Sequence, residues 1–307
     1  VAEPVCAVDC GSNSTRALIV DAHGRAATRL MSITRLGEGV DASGALAEEA
    51  MERTFAVLRD YHDACVRAGV ARGLLVATSA VRDAHNGEEF LARARAIVGF
   101  DAVVLSGAQE AAYSYAGATA DLEPADVPTM IVDVGGGSTE LAVELDGRLV
   151  SYSMQLGCVR VTERALGRGP VSPSGEVDAC AMIDAELERA FAAVPVFAGV
   201  VGRVRLVGLA GTVATLVQLD ERLEHYDRDR VHHHVLRRDT VREWRDRLGT
   251  ETPATRLTHP GMVAGREDVL VAGLYVLDAV MGRFGVDEVL SSESDILDGI
   301  ALSLRDA

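Results

Sequence analysis

A seven-residue pattern, Asp-x-Gly-x-x-Ser-Thr, occurs twice in the chain, at Asp9–Thr15 and at Asp133–Thr139. It constrains the fold more than any other feature. The second copy lies in Met-Ile-Val-Asp-Val-Gly-Gly-Gly-Ser-Thr-Glu-Leu-Ala-Val-Glu, Met130–Glu144. A short apolar run reads as a buried strand, a carboxylate and glycines follow, and alternation resumes up to the hairpin signal Asp146-Gly147. The first copy, Asp9-Cys10-Gly11-Ser12-Asn13-Ser14-Thr15-Arg16, aligns with Asp133–Glu140 without a gap. Its flanks match too, with apolar Val5–Val8 before it and the turn His23-Gly24 after it. Glycines have no Cβ, so successive backbone N–H groups can converge on an anion. A carboxylate beside them would repel a phosphate unless a cation stood between the two. The pattern therefore predicts a phosphate-plus-divalent-metal loop; a tight hairpin with no ligand is the alternative for either copy alone. The spacing of the copies is no solenoid period. It predicts two related halves, each offering a phosphate loop to a cleft between them.

A length of 307 residues favours two domains. Asp121–Pro128, polar and carrying two prolines, is the natural break. It gives domains over 1–120 and 121–291, with a closing helix in 292–307 that can pack back on the first. Hydrophobic content of 48% with 25% charged residues describes a soluble globular chain, and aromatics at 4% leave Val, Leu and Ala to fill the core. The most apolar stretch, Val269–Met281, is interrupted by Asp278, and the N-terminus lacks a targeting pattern. A cytoplasmic protein with no membrane partner is expected. Cys6, Cys10, Cys65, Cys158 and Cys180 are odd in number and scattered, which predicts buried, reduced thiols, with Cys10 an inward-facing filler. A net charge of −16 argues against a nucleic-acid surface. Phosphate binding must then be local, through loop amides, a divalent metal and a few arginines. The chain contains no lysine. That removes the P-loop lysine, the kinase strand lysine and Schiff-base chemistry.

Strands and helices alternate after each initial hairpin, which predicts a mixed sheet with packed helices, twice over. In the first half we expect a helix from Ser43-Gly44 to about Arg67, a strand at Gly73–Ala77 and a loop at Thr78–Asp83. A helix from Asn86 to Val98, a strand at Ala102–Leu105 and a capping box at Ser106 and Gln109 follow. In the second half we expect a strand at Arg148–Met154 and helices around Gly157–Leu166 and Ser174–Val194. A strand at Arg203–Val207 leads into Gly208-Leu209-Ala210-Gly211-Thr212 and a helix. Arg222–Arg238 reads as a solvated excursion. A helix over Val263–Phe284, a buried strand at Val286–Leu290 and a helix over Ser294–Leu304 complete the chain.

Glu110 falls just past a strand end, in the first turn of a helix. A carboxylate there could take a proton from a water aimed at phosphorus; simple complementarity to the helix dipole would also place one there. Arg82, leaving a buried strand, could grip a phosphate bidentately, or pair with Asp83 or Glu88. The Gly208–Thr212 segment joins strand to helix and presents amides and a positive dipole end to an anion, although glycine also serves merely to turn the chain. His232, His233 and His234 are adjacent and cannot all converge on one ion, and their Asp/Arg-rich flanks predict a solvated segment. Arg160 and Arg164 share a helix face and serve either substrate or surface.

Taken together, these segments resemble the exopolyphosphatase and guanosine pentaphosphate phosphohydrolase family, within the actin, sugar-kinase and Hsp70 superfamily. The resemblance rests on Ala7–Arg16, Ala77–Ala84, Leu105–Ala111, Asp133–Leu141, Gly157–Arg160, Gly208–Thr215 and Gly265–Asp268. These come in the family's order and span nearly the whole chain. It implies two α/β domains of ribonuclease-H-like, actin-like ATPase fold, each a mixed sheet with flanking helices. It implies that Glu110 is the catalytic base and Arg82 the phosphate-binding arginine. Asp133 and Glu140 would hold Mg²⁺, with Mn²⁺ the alternative ion, or orient the water; Asp9 would lie on the outer coordination sphere. Gly11, Ser12, Asn13, Ser14, Gly135, Gly136, Gly137, Ser138, Gly208, Gly211 and Thr212 would contact phosphates. The implied reaction is in-line attack by water on the terminal phosphorus of a phosphoanhydride chain, releasing orthophosphate, with positioning and charge neutralisation carrying most of the rate. A homodimer is implied as well. The chain ends soon after Ser294, without the helical domain of the family's longer members, so a preference for short polyphosphates is expected. Leu297-Asp298 stands where the family more often has Arg-Glu. The rival readings are a guanosine pentaphosphate 5′-phosphohydrolase, an ATPase or sugar kinase of the same fold, and a non-catalytic phosphate or nucleotide sensor. The clustered carboxylates argue against the sensor.

Overall fold

The computed structural model describes residues 3–306. The chain divides after Ala120 and again after Ser294, so that the segment from Asp295 onward belongs with the first unit.

The first unit opens with a hairpin of β1 (Val5–Cys10) and β2 (Ser14–Val20), with Asp9 opposite Arg16 and Cys10 opposite Thr15. Then come β3 (Ala26–Ile33), α1 (Val40–Ser43), α2 (Glu48–Arg67), β4 (Arg72–Ala77), α3 (Ser79–Asp83), α4 (Gly87–Val98), β5 (Asp101–Val104) and α5 (Gly107–Thr119). Among the described residues the sheet order is β3-β2-β1-β4-β5, with β4 parallel to β1 and β5 parallel to β4. Every residue of β1 is buried, as a central strand covered on both faces requires. Cys6, Val8 and Cys10 face a core shared with Phe55, Leu58 and Phe90 of α2 and α4. Val5 and Ala7 face the opposite one. Two expectations shift here. The long helix starts at Glu48 rather than at Ser43, because Gly44 takes a left-handed φ of 68° and closes α1. The expected loop at Thr78–Asp83 is a single helical turn, α3.

The second unit repeats the plan. It runs β6 (Thr129–Val134), β7 (Thr139–Leu145), β8 (Arg148–Met154), α6 (Cys158–Val161) with a π-helical turn at Thr162–Leu166, and α7 (Pro173–Ala193). There follow β9 (Arg205–Leu209), α8 (Ala210–Asp220), α9 (Arg228–Val231), β10 (Val235–Arg237), α10 (Arg238–Gly249), α11 (Pro253–Arg256), α12 (Leu270–Phe284) and β11 (Glu288–Ser291). Its order is β10-β11-β9-β6-β7-β8, with β9 parallel to β6, β11 parallel to β9 and β10 antiparallel to β11. This mixed sheet with flanking helices, which the sequence pattern predicts, is the ribonuclease-H-like arrangement that the resemblance implies, and it is present in both units. The Arg222–Arg238 segment is not a free excursion. Buried Val231 and Leu236 pin it, and β10 joins the sheet edge. The helix expected from Val263 begins only at Leu270, after a turn in which Gly265 has a φ of 86°.

Helix α13 (Ile296–Asp306) returns to the first unit, where Ile296, Leu297, Ile300 and Ala301 pack with Val5, Ala7, Leu18, Val76 and Leu105. Two glycines let the backbones touch. A Cβ on Gly117 of α5 would stand 1.9 Å from the Asp295 carbonyl, and one on Gly299 would stand 2.0 Å from the Tyr113 carbonyl. Both obstacles are main chain, so neither can swing aside. Gly299→Ala is expected to cost about 1–3 kcal/mol, read as a lower thermal midpoint; an unchanged midpoint would contradict this close packing. Asp298 accepts the Asp295 N–H at 2.9 Å and pairs with Arg29. Of the cysteines, Cys180 is exposed, contrary to expectation; the others, including Cys10, are buried. Among the described residues no helix is long and apolar enough to cross a membrane.

Candidate active site

The first loop, Gly11–Asn13, leaves the carboxyl end of β1, where ligands gather in open α/β sheets. Gly11 N–H closes it onto the Ser14 carbonyl at 3.0 Å. The Ser12 carbonyl accepts from Gly37 N–H at 2.8 Å, and the Asn13 carbonyl from Thr34 and Arg35 N–H at 3.1 and 2.9 Å. The C=O and N–H of a trans peptide point opposite ways. Anchoring the Ser12 carbonyl therefore turns the Asn13 N–H outward. Ser12 Oγ lies 3.1 Å from Ser79 Oγ of α3. Asp9 is buried beside this loop. Arg16 donates Nε and NH2 to its Oδ2 at 3.2 and 2.7 Å and its NH1 to Asp295. Oδ1 of Asp9 and Nδ2 of Asn13 are buried with no hydrogen-bond partner in the protein. A Cβ on Gly11 would stand 3.9 Å from both Asp9 oxygens, so glycine keeps the approach to that carboxylate open. An orphaned, hard carboxylate oxygen fits a divalent cation or a water bound to one.

Burial raises the Asp9 pKa above its ordinary 3.8; Arg16 opposes this and Asp295 adds to it. A raised carboxyl pKa means that the fold disfavours the charged form. Its stability contribution is full below the ordinary value and is lost as the pH rises through the folded value. In chelator, Asp9→Asn should therefore melt above the parent at neutral pH, and the difference should vanish as the pH falls toward 3.8. A variant melting below the parent at neutral pH would contradict the sign.

Glu110 sits in the first turn of α5, whose N-terminus carries the expected capping box between Ser106 and Gln109. Arg82, in the last turn of α3, donates NH1 to the Leu105 carbonyl at 2.8 Å and to Glu110 Oε2 at 3.1 Å. Its ion pair is with Glu110, not with Asp83 or Glu88. Arg82 NH2 is buried with no hydrogen-bond partner in the protein. One nitrogen thus orients the carboxylate while the other keeps its donors unused, as an arginine able to take an oxyanion would.

The second loop repeats the first with a difference in charge. Asp133 pairs in register with Glu140, where Asp9 pairs with Arg16. One hairpin sets an arginine across from its acid; the other sets a second carboxylate, and like charges directly opposite are destabilising without a cation. Both acids are buried, and Glu140 Oε1 accepts from Ser153 Oγ of β8 at 2.7 Å. The loop carbonyls are all engaged on one side. Gly135 O accepts from Cys158 N–H at 2.9 Å, and Gly136 O from Val159 and Arg160 N–H at 2.9 and 3.2 Å. Gly137 O accepts from Arg160 Nε at 2.9 Å. The N–H groups of Gly136, Gly137 and Ser138 therefore face the other way, as an anion-binding concavity. None of these loop glycines has a positive φ. Glycine serves here by lacking a side chain, as at Gly157, where a Cβ would lie 2.4 Å from the Gly136 carbonyl. Arg160 is thereby a support of the loop.

The third segment ends β9 and opens α8. Ala210 carries a φ of 64°, a costly conformation for a residue with a side chain and one that concentrates at functional sites. Gly208 packs against Val213 and Val289, and its carbonyl accepts from Ser292 N–H at 2.9 Å. Thr212 is buried against Gly273 of α12. The guanidinium of Arg266 lies on Gly211, so close that a Cβ there would be 1.3 Å from NH1. It also acts electrostatically on Cys158 of α6, whose thiol burial pushes up to about 11. A guanidinium set against the positive end of α8, which has no acid in its first turn, brings together two features that both favour an anion. Sequence reasoning quoted Gly265–Asp268 but gave Arg266 no role; only the tertiary contact with Gly211 reveals one.

The histidine run is part of the fold. His232 Nε2 lies 3.1 Å from Asp121 Oδ2, and His233 stacks on His232 with centroids 3.8 Å apart. Asp121, His232 and His233 are close enough to suggest a metal site. Yet His232 Nδ1 accepts the Glu293 N–H at 3.0 Å. In the neutral ring the proton is then on Nε2, which donates to Asp121 and has no lone pair for an ion. Burial, His233 and Arg228 hold the His232 pKa low, in keeping with the neutral ring.

The model of the Ppx/GppA phosphatase family matches residues 17–306. Exopolyphosphatase 2 of Mycobacterium tuberculosis is 38% identical over 316 residues, covering 98% of this chain and 98% of that protein. A solved structure described as an exopolyphosphatase-like protein is 32% identical, with a TM-score of 0.92 over 99% of each chain. The PPX-GPPA enzyme of Aquifex aeolicus is 28% identical, with a TM-score of 0.79 over 98% of this chain and 99% of that one. The chain belongs to the Ppx/GppA phosphatase family.

Proposed function

We propose that the protein is an exopolyphosphatase, removing terminal orthophosphate from inorganic polyphosphate by attack of water. The observation that carries this is the second loop. Its carbonyls are tied to α6 and Arg160, which leaves its amides pointing the other way beside two buried carboxylates, an arrangement suited to an anion. The relative named an exopolyphosphatase supports the substrate class. Glu110, held ready by Arg82, accepts the proton of the attacking water. Arg82 NH2 and the loop amides in the first unit, and Arg266 and the loop amides in the second, are each suited to orient a phosphate and neutralise its charge. Asp133 and Glu140 would hold the divalent cation, and Asp9 is the carboxylate proposed for that role in the first unit. Such an ion, when bound, polarises phosphoryl oxygens and offsets developing charge. Mg²⁺ is the ion proposed, with Mn²⁺ as substitute, and the proposed state is a cytoplasmic homodimer, the dimer checked by light scattering.

The test is orthophosphate release from tripolyphosphate, long polyphosphate, guanosine pentaphosphate and ATP, each with Mg²⁺ and with chelator. We expect release from the polyphosphates, lost in chelator. Guanosine pentaphosphate cleaved faster than either polyphosphate would assign the alternative phosphohydrolase. ATP matching tripolyphosphate would assign an ATPase, and binding without release a sensor.

A further inference from the structure

Arg256 ends the short helix α11 and is among the largest fully buried side chains, 1% exposed. A guanidinium in a core is expensive unless its donors are met. Here the partners are all main-chain carbonyls. Nε donates to Leu248 O at 2.9 Å, NH1 to Arg168 O at 3.1 Å and Glu267 O at 2.9 Å, and NH2 to Gly169 O at 2.8 Å. Burial pulls its pKa below the usual arginine range, opposed by the fields of Glu251, Asp268 and Glu267. The side chain therefore pins three segments at once: the end of α10, the Arg168-Gly169 turn and the turn carrying Arg266.

That last turn is short and tight. Gly265 takes a φ of 86°, Gly265 N–H donates to Glu267 Oε2 at 2.5 Å, and the Arg266 carbonyl accepts from Val269 and Leu270 N–H at 3.1 and 2.8 Å. NH1 of Arg256 grips the carbonyl of Glu267, the residue that follows Arg266 in the chain. Arg266 lies on Gly211 at the start of α8. We infer that Arg256 is a positioning residue for phosphate binding, acting through the Glu267 carbonyl to set Arg266 against the α8 N-terminus. This rests on reading the second unit as a phosphate-binding half. Lysine cannot substitute, because a point ammonium cannot present donors to carbonyls arrayed around a planar fork.

The experiment is a double-mutant cycle of Arg256→Lys and Arg266→Gln, with KM and kcat on tripolyphosphate and hydrogen exchange of the 263–269 amides. Arg256→Lys alone should lower kcat/KM by about 10-fold or more, chiefly through KM, since small misplacements of positioning groups carry such losses. With Arg266→Gln already present it should cost less than about 2-fold further, the non-additivity expected of residues acting as a unit. The 263–269 amides should exchange at least about 10-fold faster, while α7 is unchanged. Additive losses, or unchanged exchange at 263–269, would overturn the inference. If Arg256→Lys does not fold, Arg256→Gln takes its place in the cycle. Failure of both to fold makes Arg256 a support of the whole unit and overturns the inference as well. Hydrogen exchange also separates the two readings. A parent enzyme that releases no phosphate, with the exchange change intact, sinks the hydrolytic reading and leaves the positioning role standing.

Discussion

Glu110→Gln is expected to fold like the parent and to turn over polyphosphate more than ~100-fold more slowly, within the range set by loss of a general base. The substitution is nearly isosteric, and the capping box of Ser106 and Gln109 that starts α5 is untouched. The Leu105 carbonyl still holds Arg82 NH1 at 2.8 Å, so the arginine should keep its place. What disappears is the carboxylate 3.1 Å from that nitrogen, and with it both the proton acceptor and the charge that partly neutralises Arg82. A more positive Arg82 binds an anion at least as well. The loss should therefore fall on kcat, with KM unchanged or lower, the signature of an interaction made in the transition state. Steady-state phosphate release and circular dichroism together decide it. Near-native kcat would remove Glu110 from the role of base.

Asp133→Asn is expected to raise the Mg²⁺ concentration needed for half-maximal activity by at least ~10-fold. Outer-sphere partners of metal ligands already matter by 10–100-fold, and a direct carboxylate should matter no less. Asparagine keeps the shape and the β6–β7 ladder, in which residue 133 pairs with Glu140, so the hairpin should survive. It also removes one of two acids at a single register position, which relieves their mutual repulsion in the metal-free protein. The opposed outcomes, a higher Mg²⁺ requirement for activity with equal or greater stability, are what a metal-holding pair predicts. A purely structural Asp133 predicts the reverse: a lower melting point and an unchanged Mg²⁺ requirement. Titrating Mg²⁺ against phosphate release and melting both proteins in chelator distinguishes the two.

What could be read without coordinates was what is local. The two Asp-x-Gly hairpins announce themselves through apolar runs and turn residues within a few positions. The capping box at Ser106 and the Arg148–Met154 strand follow from equally short-range rules. Contacts between distant residues were not legible. Arg82 and Glu110 are 28 positions apart, and nothing in either neighbourhood selects that pairing over Asp83 or Glu88. Arg266 gains meaning only where its guanidinium meets Gly211. Boundaries slipped where one residue overruled a pattern. Gly44 closes a turn inside an otherwise helical run, and the turn at Gly265 delays α12 to Leu270. Charge misled once, because the Arg/Asp density of 222–238 hid Val231 and Leu236, the two side chains that anchor it.

The place of α13 has a consequence for biosynthesis. The second unit is one uninterrupted stretch, whereas the first needs a helix encoded after it. As the polypeptide leaves the ribosome, Asp121–Ser294 can fold at once, but the groove along Tyr113 and Gly117 and the apolar side chains of Val76 and Leu105 wait for α13. During translation the earlier-made half is therefore the later to mature.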